Sequence, residues 1–271
     1  MMRSDSFMTS KHTPPILIRL IVLTGLALAS LSPSCSAADT STAPSASKTN
    51  APATKESSLA TLDLFDGESL RGWKITDFAG HGDVRVESMK KVVESLSDRA
   101  AENLKKNNTE SEAKGSVVVM EMGAILTGIQ YTNEVPVMNY EVSLEAMRLD
   151  GNDFFCGLTF PVNDTHCSLI VGGWGGGVVG ISSIDGFDAS ENETTKFKGF
   201  ESGRWYPIRV RITPAKLEAW LEKEKVVEVK TTGRRLTLRA GEIELSKPFG
   251  LAAYQTAVAY RNIRLERLSD P

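Results

Sequence analysis

Strict two-residue alternation constrains this chain more than any other feature. Tyr140, Val142, Leu144 and Ala146 alternate with Glu141, Ser143, Glu145 and Met147, and Ile208, Val210 and Ile212 alternate with Arg209 and Arg211. Successive side chains of a strand point to opposite faces, so each segment has one face to bury and one to wet. Leu217 to Val229 reads as a hairpin turning at Glu222 to Lys225, and Ala257 to Leu268 supplies a last strand. From Leu59 onward, short apolar runs are broken by Gly, Pro, Asn and Asp. Many short strands with little helix predict an all-β domain, a two-sheet antiparallel sandwich of the jelly-roll kind over 59–271. One stretch departs from this. Met89, Val93, Leu96 and Ala100 recur at helical spacing, and 107–115 is polar. A helical insertion over about 89–115 is expected, between the strands Val84–Glu87 and Ser116–Val119.

The first residues read as targeting. Arg3, Lys11 and Arg19 precede the apolar run Leu20 to Leu31, and Ser36-Ala37-Ala38 suits cleavage before Asp39, giving a signal peptide over 1–38. A lipid-modified Cys35 is the alternative, although Ser32-Pro33-Ser34 matches poorly what precedes such a cysteine. Residues 39–58 are almost entirely Ser, Thr, Ala, Pro and Lys, the composition of a disordered linker. Export to the periplasm or cell surface follows, with no transmembrane span in the mature form. Lys and Arg total 31 against 34 Asp and Glu, a net charge of −3. Nucleic-acid binding needs clustered basic residues and is set aside. Protein partners leave no mark in the sequence.

Leu64-Phe65-Asp66-Gly67-Glu68-Ser69-Leu70-Arg71-Gly72-Trp73 opens the domain, and Glu218-Ala219-Trp220-Leu221 and Tyr260-Arg261-Asn262-Ile263-Arg264-Leu265 close it. These end motifs resemble the 3-keto-disaccharide hydrolase domain family. The resemblance implies a concanavalin A-like fold, secretion, and a carbohydrate or glycoside substrate already oxidised at C3. The ketone acidifies the C2 hydrogen, so a base can start loss of the C1 substituent, by hydrolysis or elimination. In the middle, where many members carry Gly-Asn-Ser-Gly-Ile, Gly151-Asn152-Asp153-Phe154-Phe155-Cys156-Gly157 stands here. A non-catalytic carbohydrate-binding module, or an adhesion domain, of the same fold is therefore the alternative function. The residues name no cofactor. Lectin-like sandwiches often carry a divalent cation such as calcium, but no loop here has a diagnostic ligand spacing.

The centre of the domain admits a register argument. Phe154, Cys156, Leu158 and Phe160 form one apolar row, and Cys167, Leu169 and Val171 another across the turn Pro161-Val162-Asn163-Asp164. A four-residue loop puts Thr159 opposite His166 and Gly157 opposite Ser168, and the same rule across Gly151 puts Glu145 opposite Gly157. A polar face of Ser143, Glu145, Asp153, Thr159, His166 and Ser168 results, with bare Gly157 leaving room for a sugar. Glu145 and His166 are the candidate acid and base. Asp153 orients His166 or binds a cation, and Thr159 and Ser168 bind substrate. Trp174, in Gly172-Gly173-Trp174-Gly175-Gly176-Gly177, reads equally as a sugar platform or a core plug, and Gln255 as a hydroxyl partner. Each also has a bland reading as solvated strand surface. Cys156 and Cys167 fall in a diagonal relation unsuited to a disulfide, so two buried thiols are expected.

Overall fold

In the computed structural model, which describes residues 61–107 and 114–269, the alternating segments become strands. In chain order these are β1 (Thr61–Asp63), β2 (Trp73–Ile75), β3 (Val84–Ser88), β4 (Ser116–Met120), β5 (Leu126–Tyr131), β6 (Tyr140–Gly151), β7 (Cys156–Val162) and β8 (Thr165–Gly172). They continue as β9 (Val178–Ser182), β10 (Lys196–Phe197), β11 (Trp205–Ile212), β12 (Lys216–Leu221), β13 (Glu224–Lys230), β14 (Phe249–Tyr254) and β15 (Thr256–Arg267). Two antiparallel sheets form. The first runs β13-β12-β11-β6-β15-β4-β3 with β1 beside β15, and the second runs β10-β9-β8-β7-β14-β5-β2. The fold is the expected all-β jelly-roll sandwich. Signal peptide, linker, Cys35 and residues 108–113 of the insertion lie outside the described residues.

The alternating rows meet in one core. Tyr140, Val142, Leu144 and Ala146 of β6 and Ile208, Val210 and Ile212 of β11 face Cys156, Leu158, Phe160, Cys167, Leu169 and Val171 of the second sheet. Two tyrosines tie the sheets together through bonds that burial shields from water. Tyr140 Oη donates to the Pro161 carbonyl at 2.6 Å, and Tyr260 Oη to the Phe155 carbonyl at 2.7 Å. Burial pushes both phenols well above the ordinary tyrosine pKa, so both remain donors.

The insertion is two helices, α1 (Met89–Ser95) and α2 (Asp98–Asn107), where one continuous helical spacing was expected. Leu96 turns extended with ψ 147°, and the Ser97 hydroxyl accepts from the Ala100 amide, which starts a new helix. The buried positions are accordingly Met89 and Val92, then Ala100 and Leu104. Met89, Val92 and Leu104 pack on Val117, Val119, Met147, Trp205 and Ala259, the outer face of the first sheet.

Cys156 and Cys167 are buried and unpaired, and Cys156 lies opposite Val171 while Cys167 lies opposite Phe160. Alkylation without reductant should label neither peptide in the native protein and both after unfolding, as read by mass spectrometry. A disulfide-linked pair of these peptides would contradict the packing.

Candidate functional site

The register across the β7–β8 hairpin differs from the expected one by two residues. Val162 pairs with Thr165, so only Asn163 and Asp164 form the turn, with Asn163 at φ 55°. Asn tolerates this left-handed conformation, which a two-residue hairpin turn requires. A slip of two keeps every side chain on its face, so Thr159, His166 and Ser168 do share the outer face of the second sheet. Their partners change. Thr159 lies opposite Ser168, its hydroxyl 2.8 Å from the Ser168 hydroxyl, and His166 lies opposite Pro161.

Glu145 and Ser143 are elsewhere. The chain crosses from the first sheet to the second after Gly151, so β6 pairs with β11 and β15 and never with β7. Gly151 has φ +89°, and a Cβ there would meet the Gln255 carbonyl oxygen at 2.5 Å, so this corner needs glycine. Glu145 and His166 consequently face solvent from opposite sides of the sandwich, with the core between, and cannot flank one sugar. Glu145 accepts from Arg261 Nε at 2.7 Å and Asn262 Nδ2 at 2.9 Å, and Arg261 stacks on the Trp205 ring at 4.1 Å. The space over Gly157 is filled as well. Phe154 points outward, where the notional Gly157 Cβ would lie 3.0 Å from its ring, while Phe155 takes the core position expected for Phe154.

On the same outer face lies a cleft of about 520 Å³. The connection between β13 and β14 covers it: Leu236 bridges to Ile184, and the 3-10 turn Glu242–Ser246 lies over β5 and β14. Ile243 packs with Phe154 and Tyr254, whose rings are 5.8 Å apart. Ser168 and Ser182, cross-strand neighbours, present hydroxyls. Trp174 stands at the rim, 42% exposed, and is no core plug.

Three charged side chains line the cleft: Asp153, Arg239 and Glu242. Asp153 is spoken for, because its Oδ1 accepts from the Phe154 amide at 2.7 Å and its Oδ2 from the Gly175 amide at 2.9 Å. It shapes the Trp174 turn and does not orient His166. Arg239 lies 6.0 Å from the Trp174 ring centre and pairs with Asp188 at 3.3 Å, and Asp188 also accepts from the Ser182 and Ser183 hydroxyls. Glu242 differs from both. Its Oε2 is buried and has no hydrogen-bond partner. Burying a carboxylate oxygen without a donor costs free energy, so this atom stands out among the charged groups of the cleft.

His166 is two residues along β8 from Ser168. Burial first, and then the positive Lys247, hold its pKa below the ordinary histidine value, so it is neutral at neutral pH. Gln255, in the β14–β15 turn at φ 43°, donates to the Ala124 carbonyl at 3.1 Å and does not line the cleft. Among the described residues no group of three His, Cys, Asp or Glu side chains could hold a metal ion.

Glu242, Arg239, Ser182 and Tyr254 are among the cleft residues that sequence reasoning missed. The available signal was the long connection between two strand runs, residues 231–248, which carries Arg239 and Glu242. Connections of that length inside a sandwich are commonly functional.

The sequence pattern of the 3-keto-alpha-glucoside-1,2-lyase-like domain matches residues 61–266. The chain belongs to that family. Domains of this family are carbohydrate-active, and the outer-face cleft carries aromatic, hydroxyl and charged groups together. Solved structures similar to the chain include the carbohydrate binding module CBM66 from Bacillus subtilis, at 9% identity, covering 72% of this chain and 95% of that one, with a TM-score of 0.42. The Crh5 transglycosylase in complex with NAG shows 10% identity, 79% and 85% coverage and a TM-score of 0.47. Domain 4 of AbnA, an extracellular arabinanase from Geobacillus stearothermophilus, shows 11%, 72% and 82%, and 0.40. Among curated proteins none matches this lyase-like chain. No described helix is long and apolar enough to cross a membrane.

Proposed function

We propose that this protein, exported from the cytoplasm, cleaves 3-keto-α-glucosides in the outer-face cleft, with Glu242 as the base. The observation that carries this reading is the buried, unpartnered Glu242 Oε2 in a cleft rimmed by exposed Trp174. An ordinary glycosidase needs two free carboxyl groups about the scissile bond. Here Asp153 is bonded to two backbone amides, which leaves one carboxylate free, and one suffices when a ketone has already acidified the neighbouring hydrogen.

In the proposed reaction the sugar stacks on Trp174 and its hydroxyls bond Ser168 and Ser182. Glu242 removes the C2 proton, the C–H electrons form the C1–C2 double bond, and the C1–O bond breaks. The departing oxygen takes a proton from solvent, since His166 is neutral and does not line the cleft. The Arg239 guanidinium offsets negative charge developing on the C3 oxygen. Products are the 1,2-unsaturated 3-keto sugar and the free alcohol, and water adding to the former completes a hydrolysis. Thr159 acts through its bond to Ser168.

Purified protein mixed with a 3-keto-α-glucosyl disaccharide should release the unsaturated keto sugar and the second sugar in equal amounts. Trp174→Ala should weaken binding of methyl 3-keto-α-glucoside about threefold to tenfold, matching the ~0.5–1.5 kcal/mol of a ring contact, with Tm unchanged. Saturable binding without either product would instead support a binding module, which the same platform would serve.

A further inference from the structure

The turn that carries Trp174 is built from backbone that few residues adopt. Gly172, Trp174, Gly175 and Gly176 have φ of 80°, 50°, 81° and 105°. Left-handed backbone costs a residue with a side chain about 1–2 kcal/mol, so something must hold Trp174 there. From above, the Asp153 carboxylate bonds the Gly175 amide. From beneath comes Arg148, which β6 of the first sheet sends under the turn. Its Nη2 donates to the Asp153 carbonyl at 3.0 Å and the Gly176 carbonyl at 3.5 Å, and its guanidinium lies 5.1 Å from the Phe155 ring centre. A Cβ on Gly172 would come within 2.9 Å of the same Nη2. Arg148 is 5% exposed and its Nε has no partner. A buried cation bonded only to carbonyls is expensive, and an apolar side chain of similar volume would often be no less stable. Stability alone therefore does not account for it.

We propose that Arg148 is a positioning residue, fixing the Trp174 ring as a sugar platform through the Gly176 and Asp153 carbonyls without touching the sugar. This rests on the reading of Trp174 given above. The planar guanidinium reaches both carbonyls with Nη2 while lying over the Phe155 ring, and a lysine ammonium does not combine the two contacts.

The test uses Arg148→Met and Arg148→Lys in the full chain, with methyl 3-keto-α-glucoside as the binding probe and the 3-keto-α-glucosyl disaccharide as substrate. Arg148→Met should hold or raise Tm, yet raise Kd and KM threefold to tenfold with kcat within twofold. Arg148→Lys should do the same to Kd, and carries the test should the Met variant not fold. A double variant Arg148→Met, Trp174→Ala should bind no worse than Trp174→Ala alone, because the two changes remove one interaction. A fallen Tm with unchanged Kd, or losses that multiply in the double variant, would overturn the proposal while leaving the platform reading intact. Silent Trp174→Ala would overturn both.

Discussion

Glu242→Gln should lower the rate of 3-keto-glucoside cleavage about 10²–10⁴-fold, the span that a positioned general base contributes. The amide keeps the volume and the ability to bond a hydroxyl, so affinity for methyl 3-keto-α-glucoside should change little. That separation of rate from binding is what distinguishes a base from a contact residue. Arg239→Gln should reduce kcat less, since its charge aids the developing oxyanion without taking the proton. Glu145→Gln is the control: Glu145 lies on the other face, bonded to Arg261 and Asn262, and its loss should leave turnover as it was. Full activity in Glu242→Gln would remove the chemical role assigned to this carboxylate.

Phe155→Ala should cost about 3–5 kcal/mol of stability, among the largest single losses in the domain. Phe155 is fully buried, with Phe200 and Tyr206 rings 5.0 and 5.6 Å away and Arg148 over its face. Its carbonyl also accepts the Tyr260 hydroxyl that joins the sheets. At about 2–4 °C per kcal/mol for a domain of this size, Tm should fall by roughly 6–20 °C. Phe154→Ala should cost much less, because that ring is only partly buried and sits on the outer face against Tyr254 and Ile243. Equal or reversed losses would mean the chain enters β7 in the other phase. The pair thus checks which face carries the cleft.

Alternation made the sandwich legible because a buried sheet face enforces it residue by residue. Tyr140 to Ala146 and Ile208 to Ile212 take the faces their pattern dictates. The hairpin after Leu217 turns more tightly than expected, at Glu222 and Lys223, with a bulge by Ala219 and Trp220 that buries both Val226 and Val227. The same logic kept Thr159, His166 and Ser168 together, since a two-residue error in the turn preserves parity. Sheet membership was not legible. A strand on either sheet shows the same pattern, and Gly151 reads alike as a hairpin turn or as a corner between sheets, so Glu145 was assigned to the wrong side. Phe154 and Phe155 were exchanged because adjacent phenylalanines give no phase. The cleft's own carboxylate was invisible for another reason. Glu242 belongs to an irregular connection, where no periodicity ties a side chain to a face, and only packing of Ile243 on Phe154 and Tyr254 brings it in.

A crystal structure of the Glu242→Gln protein with methyl 3-keto-α-glucoside is the most direct measurement. The sugar is predicted to lie on Trp174 with its C2 within hydrogen-bond reach of residue 242 and its hydroxyls near Ser168 and Ser182. A sugar bound instead on the opposite sheet, beside Glu145 and Arg261, would contradict the assignment of the cleft.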